Sequence, residues 1–414
     1  MKQISSIVIG AGQRGNVYAD FARRYPEKLE IIGVAEPNHV MRTAMREMHN
    51  IKQENCFDTW EQVFEREKFA DTVMICTHDS MHFEPVMAAI AKGYDILLEK
   101  PMSPNAKECA AIANAADAAG VKVVVCHVLR YSPLFKSLKR IIKSGEIGDV
   151  VSVVHNENVG DIHASHSFVR GNWGNTAKSA PMILSKSCHD MDIIQWLIGK
   201  KCLRLNSFGS LSHFNIKNKP DGAPPRCTDG CNILDCPYDS RKLYLKDMWG
   251  FGEKWFRPVA TGLPQPTDDE VLSALQAGPY GRCVFQTDND VVDHQSVNME
   301  FEGGITALFS MSSLTPDTSR SIKIMGTKGQ IRAHSSIDSI GIDCFSTRLS
   351  REVKTVAVGG HGGGDIGIME AFCEYVATGI APEGISEARI SAENHMLCFA
   401  AEQSRLNDGE TIEL

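Results

Sequence analysis

Residues 5–25, SSIVIGAGQRGNVYADFARRY, combine an apolar run, a cluster of glycines and an amphipathic segment. This order indicates a buried strand, a tight turn and a helix. In the G-x-G-x-x-G spacing, Gly10 allows the turn, Gly12 lets the backbone approach a pyrophosphate, and Gly15 permits close packing of the helix on the strand. The helix N-terminus then offers free N–H groups to the phosphates. We therefore predict a dinucleotide-binding turn that includes Gly10, Gly12, Gln13, Arg14 and Gly15.

An acidic residue ends the next apolar run, LEIIGVAEPN (29–38). Glu36 follows Gly15 by 21 residues, where a carboxylate can accept hydrogen bonds from the ribose hydroxyls of a dinucleotide. The same carboxylate would repel a 2′-phosphate, so Glu36 favours NAD over NADP. Alternatively, Glu36 is a surface acid at a strand end, and the nearby Arg42 keeps NADP possible.

Apolar runs alternate with amphipathic segments as far as VKVVVCHVLRY (121–131). Buried strands separated by helices indicate a parallel sheet with helices on both faces. Ligands bind beyond the carboxyl ends of such strands, so the polar residues that follow them should surround one crevice. The predicted set is Thr77, His78, His82, Glu99, Lys100, Pro101 and His127.

The bulk composition is typical of a soluble globular protein with more than one domain. The chain has 414 residues, 43% hydrophobic and 23% charged, which is too long for one ordinary core. Its net charge of −8 argues against non-specific nucleic-acid binding. We expect no signal peptide, and no apolar run approaches the roughly 20 residues of a membrane span. The 13 cysteines suit reduced thiols in the cytoplasm better than a disulfide framework.

The segment LLEKPMSP (97–104), together with the glycine turn, resembles the Gfo/Idh/MocA oxidoreductase family. The resemblance spans nearly the whole chain and implies an NAD(P)-dependent sugar or cyclitol dehydrogenase of α/β fold. It implies a Rossmann domain at 1–127 and an α/β domain at 128–414 with a large, mainly antiparallel open sheet. Since the family uses this sheet for dimers, we expect a homodimer or homotetramer. In the family, the motif lysine lies between nicotinamide ribose and substrate, so Lys100 would polarise the substrate oxygen, and its bond to Pro101 is a candidate cis peptide.

The stretch PMILSKSCHDMD (181–192) has the apolar spacing of a helix and matches the family's catalytic helix in part. His189 and Asp192 occupy expected positions, whereas Ser185 replaces the usual acid. On a continuous helix, Ser185, Lys186 and His189 would share one face. We predict that His189 is the base that removes the hydroxyl proton. Lys186 would either orient the substrate or replace the missing acid in setting the pKa of His189, which a cation would lower. The alternative is that His189 is a hydrogen-bonded core residue.

Two further loops are predicted to line the substrate side. SFVRGNWGN (167–175) offers Arg170 for an anionic or polyhydroxyl group and Trp173 for stacking on a sugar ring. HGGGD (361–365) is a flexible turn with two functional side chains. Either loop could instead be purely structural. The predicted substrate contacts are Arg170, Trp173, Asp192 and His361.

Three cysteines lie close together in PPRCTDGCNILDCPYDS (224–240), a segment rich in Pro, Gly and Asp. A fourth follows in YGRCVFQ (280–286). Four thiolates could bind a structural Zn²⁺ and pin an insert near 220–285 to the sheet. Free thiols or an iron–sulfur cluster are the alternatives. The predicted ligands are Cys227, Cys231, Cys236 and Cys283.

These features favour hydride transfer between a secondary hydroxyl of a sugar, sugar derivative or cyclitol and a nicotinamide. One alternative is redox-assisted glycoside cleavage with tightly bound NAD, in which oxidation at one carbon acidifies a neighbouring C–H bond. Another is a regulator that binds NAD and sugar without catalysis. The presence of Lys100 and His189 argues against the regulator.

Overall fold

The computed structural model describes residues 2–248, 250–251 and 255–414. Its first sheet has six parallel strands in the order β3-β2-β1-β4-β5-β6. These strands are β1 (Ile4–Ile9), β2 (Leu29–Ala35), β3 (Cys56–Phe57), β4 (Thr72–Ile75), β5 (Asp95–Leu98) and β6 (Val123–Val125). The helices that follow them are α1 (Gln13–Arg24), α2 (His39–His49), α3 (Trp60–Phe64), α4 (Phe83–Ala91) and α5 (Ala106–Ala119).

Both faces of this sheet are buried, as continuous apolar strands require. Along β1, Val8 packs into one core and Ile7 and Ile9 into the other. The strand order reverses between β1 and β4, so a crevice opens beyond their carboxyl ends. The predicted Rossmann arrangement is confirmed.

The second sheet has nine strands in the order β14-β13-β12-β11-β7-β10-β9-β8-β15. Only the β7–β10 pair is parallel among the described strands, so the predicted, mainly antiparallel sheet is confirmed. The strands are β7 (Val150–Asn158), β8 (Cys202–Ser210), β9 (His294–Phe301), β10 (Ile305–Ser312), β11 (Ser319–Gly326), β12 (Gly329–His334), β13 (Ser339–Cys344), β14 (Ser350–Lys354) and β15 (Ile412–Glu413).

Among the residues that the structure describes, eight helices accompany this sheet or return from it. They are α6 (Pro133–Lys143), α7 (Asp161–Ala164), α8 (Met182–Ser185), α9 (Cys188–Ile198), α10 (Arg257–Thr261), α11 (Asp268–Ala277), α12 (Gly364–Thr378) and α13 (Ala388–Leu406). A π-helical segment, Ser165–Arg170, continues from α7. Among the residues the structure describes, no helix has the length and apolar character to cross a membrane.

A long insertion, residues 211–293, separates β8 from β9 and contains the predicted cysteine-rich region. Its Phe256 and Tyr280 stack on His166 of the π-helical segment, with ring centroids 4.0 and 4.8 Å away. At its far end, the carbonyl of Gly262 accepts a hydrogen bond from the Asn38 side chain of the first domain, at 3.1 Å. The insertion therefore reaches from the second domain to the loop between β2 and α2.

The last two long helices return to the first domain. Phe372 of α12 packs under the first sheet beside Tyr18 of α1, and Ala392 of α13 joins the core on the opposite face. The segment between these helices also extends the sheet, because Val125 donates its amide hydrogen to the carbonyl of Ser386 at 2.8 Å. Helices α12 and α13 and the segment between them therefore pack with the first domain, although they follow the predicted boundary at 127/128 in the sequence.

The side chain of Asp192 in α9 forms a buried ion pair, although the sequence predicted that it contacts substrate. Its carboxylate accepts two hydrogen bonds of 2.6 Å from Arg130, a residue just after β6, and Asn394 of α13 donates to the same carboxylate. Both charged side chains are buried. Burial opposes ionisation of Asp192, but Arg130 outweighs it and lowers the pKa of the carboxyl group. Asp192 thus joins the two domains.

We predict that Asp192→Ala destabilises the protein by about 3–5 kcal/mol, because it leaves the Arg130 guanidinium buried without its counter-ion. Denaturant unfolding measures the loss. The control is Glu300→Ala, which removes an exposed pair with Arg204 (2.7 Å) and should cost less than about 1 kcal/mol. Equal stability of the two variants would contradict this role of Asp192.

Candidate active site

The glycine turn has the geometry of a phosphate-binding loop. Gly10 has a φ of +91°, and a Cβ there would lie 2.7 Å from the Cys76 carbonyl oxygen. A Cβ on Gly15 would lie 2.1 Å from the Gly10 carbonyl oxygen, so both positions require glycine for internal packing. At Gly12 a Cβ would meet nothing within 4 Å, and Gln13 is exposed. Gly12 therefore presents open backbone at the N-terminus of α1, where first-turn N–H groups lack helical partners.

Glu36 lies beside this turn. Its carboxylate accepts hydrogen bonds of 2.8 Å from the amide groups of Ala11 and Asn38. Arg42, the cation that could have served NADP, donates to the carbonyl of Glu36 and pairs with Asp58 at 2.6 Å. The carboxylate is therefore held beside the glycine turn, while Arg42 already has anionic and carbonyl partners.

Arg14 is held by carboxylates rather than directed at the phosphates. Its guanidinium donates to Glu99 and Asp365, each at 2.7 Å. Tyr18 also donates to Glu99, at 2.6 Å. Burial would raise the pKa of Glu99, but Arg14 and Lys100 outweigh it and lower the pKa. Glu99 is therefore an ionised anchor beneath the site, and only the backbone of Arg14 remains for a phosphate.

Hydrogen bonds hold the loop after β4 against the segment Glu99–Lys100–Pro101, called the E-K-P segment below. The Lys100–Pro101 bond is cis, as the resemblance implied. The buried ring of His82 lies between the carbonyls of Thr77 (3.1 Å) and Pro101 (2.7 Å). His82 therefore supports these loops from behind, whereas His78 is exposed at the rim.

The predicted helix over 181–192 is interrupted, and the break positions Lys100. Helix α8 ends at Ser185, and α9 begins at Cys188. The Lys100 ammonium donates to the Ser185 carbonyl at 2.8 Å, and Ser187 donates its hydroxyl hydrogen to Glu157 at 2.7 Å. These side-chain hydrogen bonds compete with a continuous helix. Ser185, Lys186 and His189 therefore do not form the single helical stripe that the spacing predicted.

His189 lies at the start of α9 with a neutral imidazole directed into a cluster of histidines. Its Nδ1 is buried without a hydrogen-bond partner, and the rings of His127 and His361 are each centred 6.0 Å away. Burial, reinforced by the Lys100 charge, lowers the pKa of His189 well below its usual value. Such an imidazole can accept a proton at neutral pH.

Behind Lys186 lies a group of buried charges that sequence reasoning missed. Lys186 approaches Glu157 of β7 to 3.7 Å, and Arg320 of β11 joins Glu157 (2.5 Å) to Asp190 (2.7 Å). His155 also contacts Asp190, at 2.7 Å. Burial lowers the pKa of Lys186 and raises that of Glu157, which Asp190 raises further. Polar residues at inward-facing positions of the alternating strand VVSVVHNEN (150–158) were the available signal.

The loop at 361–365 reaches the same site. His361 Nδ1 lies 3.0 and 3.1 Å from the two carboxylate oxygens of Asp365. Its side chain remains 38% exposed. His163 of α7 is also electrostatically coupled to Lys186 and His361, and its ring is centred 4.7 Å from Trp255 of the insertion. The structure therefore gathers His189, Lys100, Lys186 and His361 at one crevice.

Two predicted substrate contacts lie elsewhere. The Trp173 indole donates to Asp79 of the first domain at 3.0 Å, and Ser179 donates to the same carboxylate. Trp173 thus links the domains. The buried Arg170 guanidinium donates to the carbonyls of Tyr238 (2.6 Å) and Arg282 (2.7 Å). It is directed toward the cysteine-rich insertion and not toward the crevice.

The four predicted zinc ligands line one cavity of the insertion, together with Arg170. The two segments that carry Cys227 and Cys283 pair as short antiparallel strands, through Cys227 N to Gly281 O (2.9 Å) and Cys283 N to Pro225 O (2.8 Å). Within the described residues, however, no three His, Cys, Asp or Glu side chains are grouped so that they could hold a metal ion. The structure thus gathers the cysteines around one cavity without supporting the predicted zinc coordination.

Comparison with known proteins agrees with this architecture. Residues 4–127 match the family model described as "Oxidoreductase family, NAD-binding Rossmann fold". Residues 139–388 match the "Oxidoreductase family, C-terminal alpha/beta domain". The two matches together span most of the chain.

Individual relatives are distant. The Bacillus subtilis protein YteT, named as a presumed oxidoreductase, is 24% identical over 84% of this chain and 82% of its own length. An inositol 2-dehydrogenase of Gluconacetobacter diazotrophicus is 34% identical, over 30% of this chain and only 34% of its own length.

Solved structures share the fold. Levoglucosan dehydrogenase, in complex with NADH and levoglucosan, aligns over 100% of this chain and 99% of its own, with a TM-score of 0.73 and 16% identity. An inositol dehydrogenase homologue of Azotobacter vinelandii, in complex with NAD⁺, covers 100% of this chain and 98% of its own, with a TM-score of 0.72 and 12% identity.

Proposed function

We propose, because this chain belongs to the Gfo/Idh/MocA family of oxidoreductases, that it is an NAD-dependent dehydrogenase of a sugar, sugar derivative or cyclitol. The observation that carries the proposal is the hydrogen bond from Lys100 to the last carbonyl of α8, at the break between α8 and α9. This hydrogen bond sets an ammonium group and the neutral imidazole of His189 at one crevice, beyond the strands that carry the glycine turn. The names of relatives that act on inositol and levoglucosan support a cyclic polyhydroxyl substrate.

The residues present fit a nicotinamide dinucleotide. The open backbone at Gly12 and the N-terminus of α1 would hold the pyrophosphate, and Glu36 would accept the ribose hydroxyls. Thr77, His78 and the E-K-P segment would border the nicotinamide end. When bound, the nicotinamide accepts the hydride that leaves the carbinol carbon.

The chain's own side chains handle the proton and the oxygen. His189 takes the hydroxyl proton as the C–O bond gains double-bond character, and its lowered pKa keeps it in the basic form. Lys100 donates a hydrogen bond to the same oxygen and stabilises its developing negative charge. Lys186, balanced by Glu157, orients a second substrate hydroxyl.

The same geometry supports a preference for NAD. A 2′-phosphate would meet the Glu36 carboxylate, and Arg42 is already bound to Asp58. The repulsion of like charges is therefore not offset by a free cation at this position.

A structural zinc ion in the cysteine cavity is a further proposal. The supporting observation is Arg170, whose buried guanidinium reaches Cys227 Sγ at 3.7 Å and has no carboxylate partner in the part of the chain the structure describes. A buried cation is stable only near negative charge, which the thiolates of a zinc site would supply. Zinc would have to draw the four thiols closer together than they lie here.

We also propose a cytoplasmic homodimer or homotetramer. All 13 cysteines are unpaired, as a reducing compartment favours. The outer face of the second sheet exposes Phe208 and Leu308, apolar side chains that a second copy could cover.

We predict that His189→Ala and Lys100→Ala each reduce kcat by a factor of about 10² to 10⁴, while NAD binding changes little. Lys186→Ala should act chiefly on KM. NADH absorbance with a panel of cyclic polyols measures turnover, and His294→Ala, an exposed position on β9 of the second sheet, is the control. Because the pKa of His189 is lowered, the wild-type rate should hold below pH 6.5 before it falls.

Near-normal turnover of His189→Ala with a loss of thermal stability would show that this histidine is a core residue. Product formation without net NADH would instead indicate redox-assisted glycoside cleavage.

For the cofactor, we predict that the wild-type protein binds NAD more tightly than NADP. Glu36→Gln should lower that ratio by about tenfold or more, since it removes the charge that repels a 2′-phosphate. Fluorescence titration measures both dissociation constants, with the exposed Glu27→Gln as control. Tighter wild-type binding of NADP would contradict the role of Glu36.

Elemental analysis of purified protein should find about one zinc per chain. The double variant Cys227→Ser/Cys231→Ser should lose it, whereas Cys344→Ser, at the end of β13 in the second sheet, should retain it. Zinc-free protein from zinc-supplemented medium, with unchanged melting temperature after chelation, would exclude the site.

A further inference from the structure

A buried base must return its proton to solvent after each turnover. His189 is only 4% exposed, and His127 behind it is fully buried, with both ring nitrogens lacking hydrogen-bond partners. His395, beyond His127, is buried as well and engages Ser391 and Met102. Protons therefore have no exit through this side of the histidine cluster.

His361 lies on the open side. Its ring centroid is 6.0 Å from that of His189, close enough for direct contact or one bridging water, and its side chain is 38% exposed. It is the more exposed neighbour of the two rings that lie next to His189. A proton on His361 can therefore reach bulk water without passing through the core.

Hydrogen bonds hold His361 in a defined orientation and tautomer. Its Nδ1 donates to the Asp365 carboxylate at 3.0 Å, which leaves Nε2 free to accept a proton. Burial opposes ionisation of Asp365, but His361 and Arg14 outweigh it and lower the carboxyl pKa, so the carboxylate stays charged. This carboxylate would stabilise the imidazolium when Nε2 is protonated.

The backbone conformation around His361 is also unusual. His361 has a φ of +50°, and Gly359, Gly362 and Gly363 beside it have φ values of +93°, +62° and +87°. A left-handed conformation is uncommon for a residue with a side chain, and here it places the His361 ring on a turn otherwise formed by glycines. The other charged groups coupled to His361 are Arg14 and Lys186.

We propose that His361 is the proton relay between His189 and solvent in the dehydrogenase reaction, an inference that rests on the proposed function. The substrate hydroxyl gives its proton to His189 as hydride passes from carbon to nicotinamide. His189 then gives that proton to Nε2 of His361, directly or through one water. His361 releases it to water or buffer, and both imidazoles return to their neutral forms.

A relay and a substrate contact predict different kinetics for His361→Ala. Loss of a substrate contact raises KM and slows hydride transfer itself. Loss of a relay leaves hydride transfer in the first turnover intact and slows the later turnovers. Small buffer molecules that enter the crevice would then replace the missing imidazole.

The experiment compares wild type, His361→Ala and His361→Gln, with NADH formation followed in dilute buffer and in concentrated imidazole buffer. In dilute buffer we expect kcat of both variants to fall about tenfold, with KM within about twofold of wild type. Imidazole should restore most of the loss. Single-turnover NADH formation should match wild type, and the control His294→Ala, at the exposed start of β9, should show no dependence on buffer concentration.

Equal turnover of wild type and His361→Ala in dilute buffer would overturn the relay, as would a loss that imidazole does not restore or a slowed single turnover. NAD binding by fluorescence confirms that each variant is folded. If the wild-type protein itself transfers no hydride from any polyol, the proposed function has failed, and the relay with it. Failure of the relay alone leaves wild-type turnover intact.

Discussion

The hydrogen bond from the Lys100 ammonium to the Ser185 carbonyl connects the two halves of the site. Lys100 follows a strand of the first sheet, and Ser185 ends a helix of the second domain. The carbonyl is available because α8 stops there, and α9 then starts with His189 in its first turn. This contact thus brings the ammonium group close to the imidazole, and it adds to the other contacts that hold the two domains together.

Local patterns in the sequence were sufficient for the first domain. Gly10, Gly12 and Gly15 act through backbone geometry, which depends on neighbours close in the chain, and the alternation of apolar runs reflects the parallel sheet directly. The structural roles of Arg170 and Trp173 could not be predicted from such local patterns. Their partners, such as Asp79 and Tyr238, lie 94 and 68 residues away, and no local signal identifies such contacts.

The segment 181–192 shows the same limit of local patterns. The spacing of PMILSKSCHDMD predicted a continuous helix and did not predict the break at Lys186 and Ser187. That break depends on Glu157 in a strand 30 residues earlier and on Lys100 in another domain. Helix propensity is a weak preference of a few tenths of a kcal/mol per residue, which tertiary hydrogen bonds override.

The return of α12 and α13 to the first sheet has a consequence for biosynthesis. Phe372, Ser386 and Ala392 complete surfaces of residues 1–127, which are synthesised well before them. The nascent Rossmann domain therefore emerges from the ribosome with part of its apolar surface uncovered and one strand edge unpaired, and both remain so until α12 and α13 have been made. Contacts of such long sequence separation slow folding and leave the intermediate prone to aggregation. Chaperone dependence during synthesis would thus follow from the topology itself, independently of the stability of the finished protein.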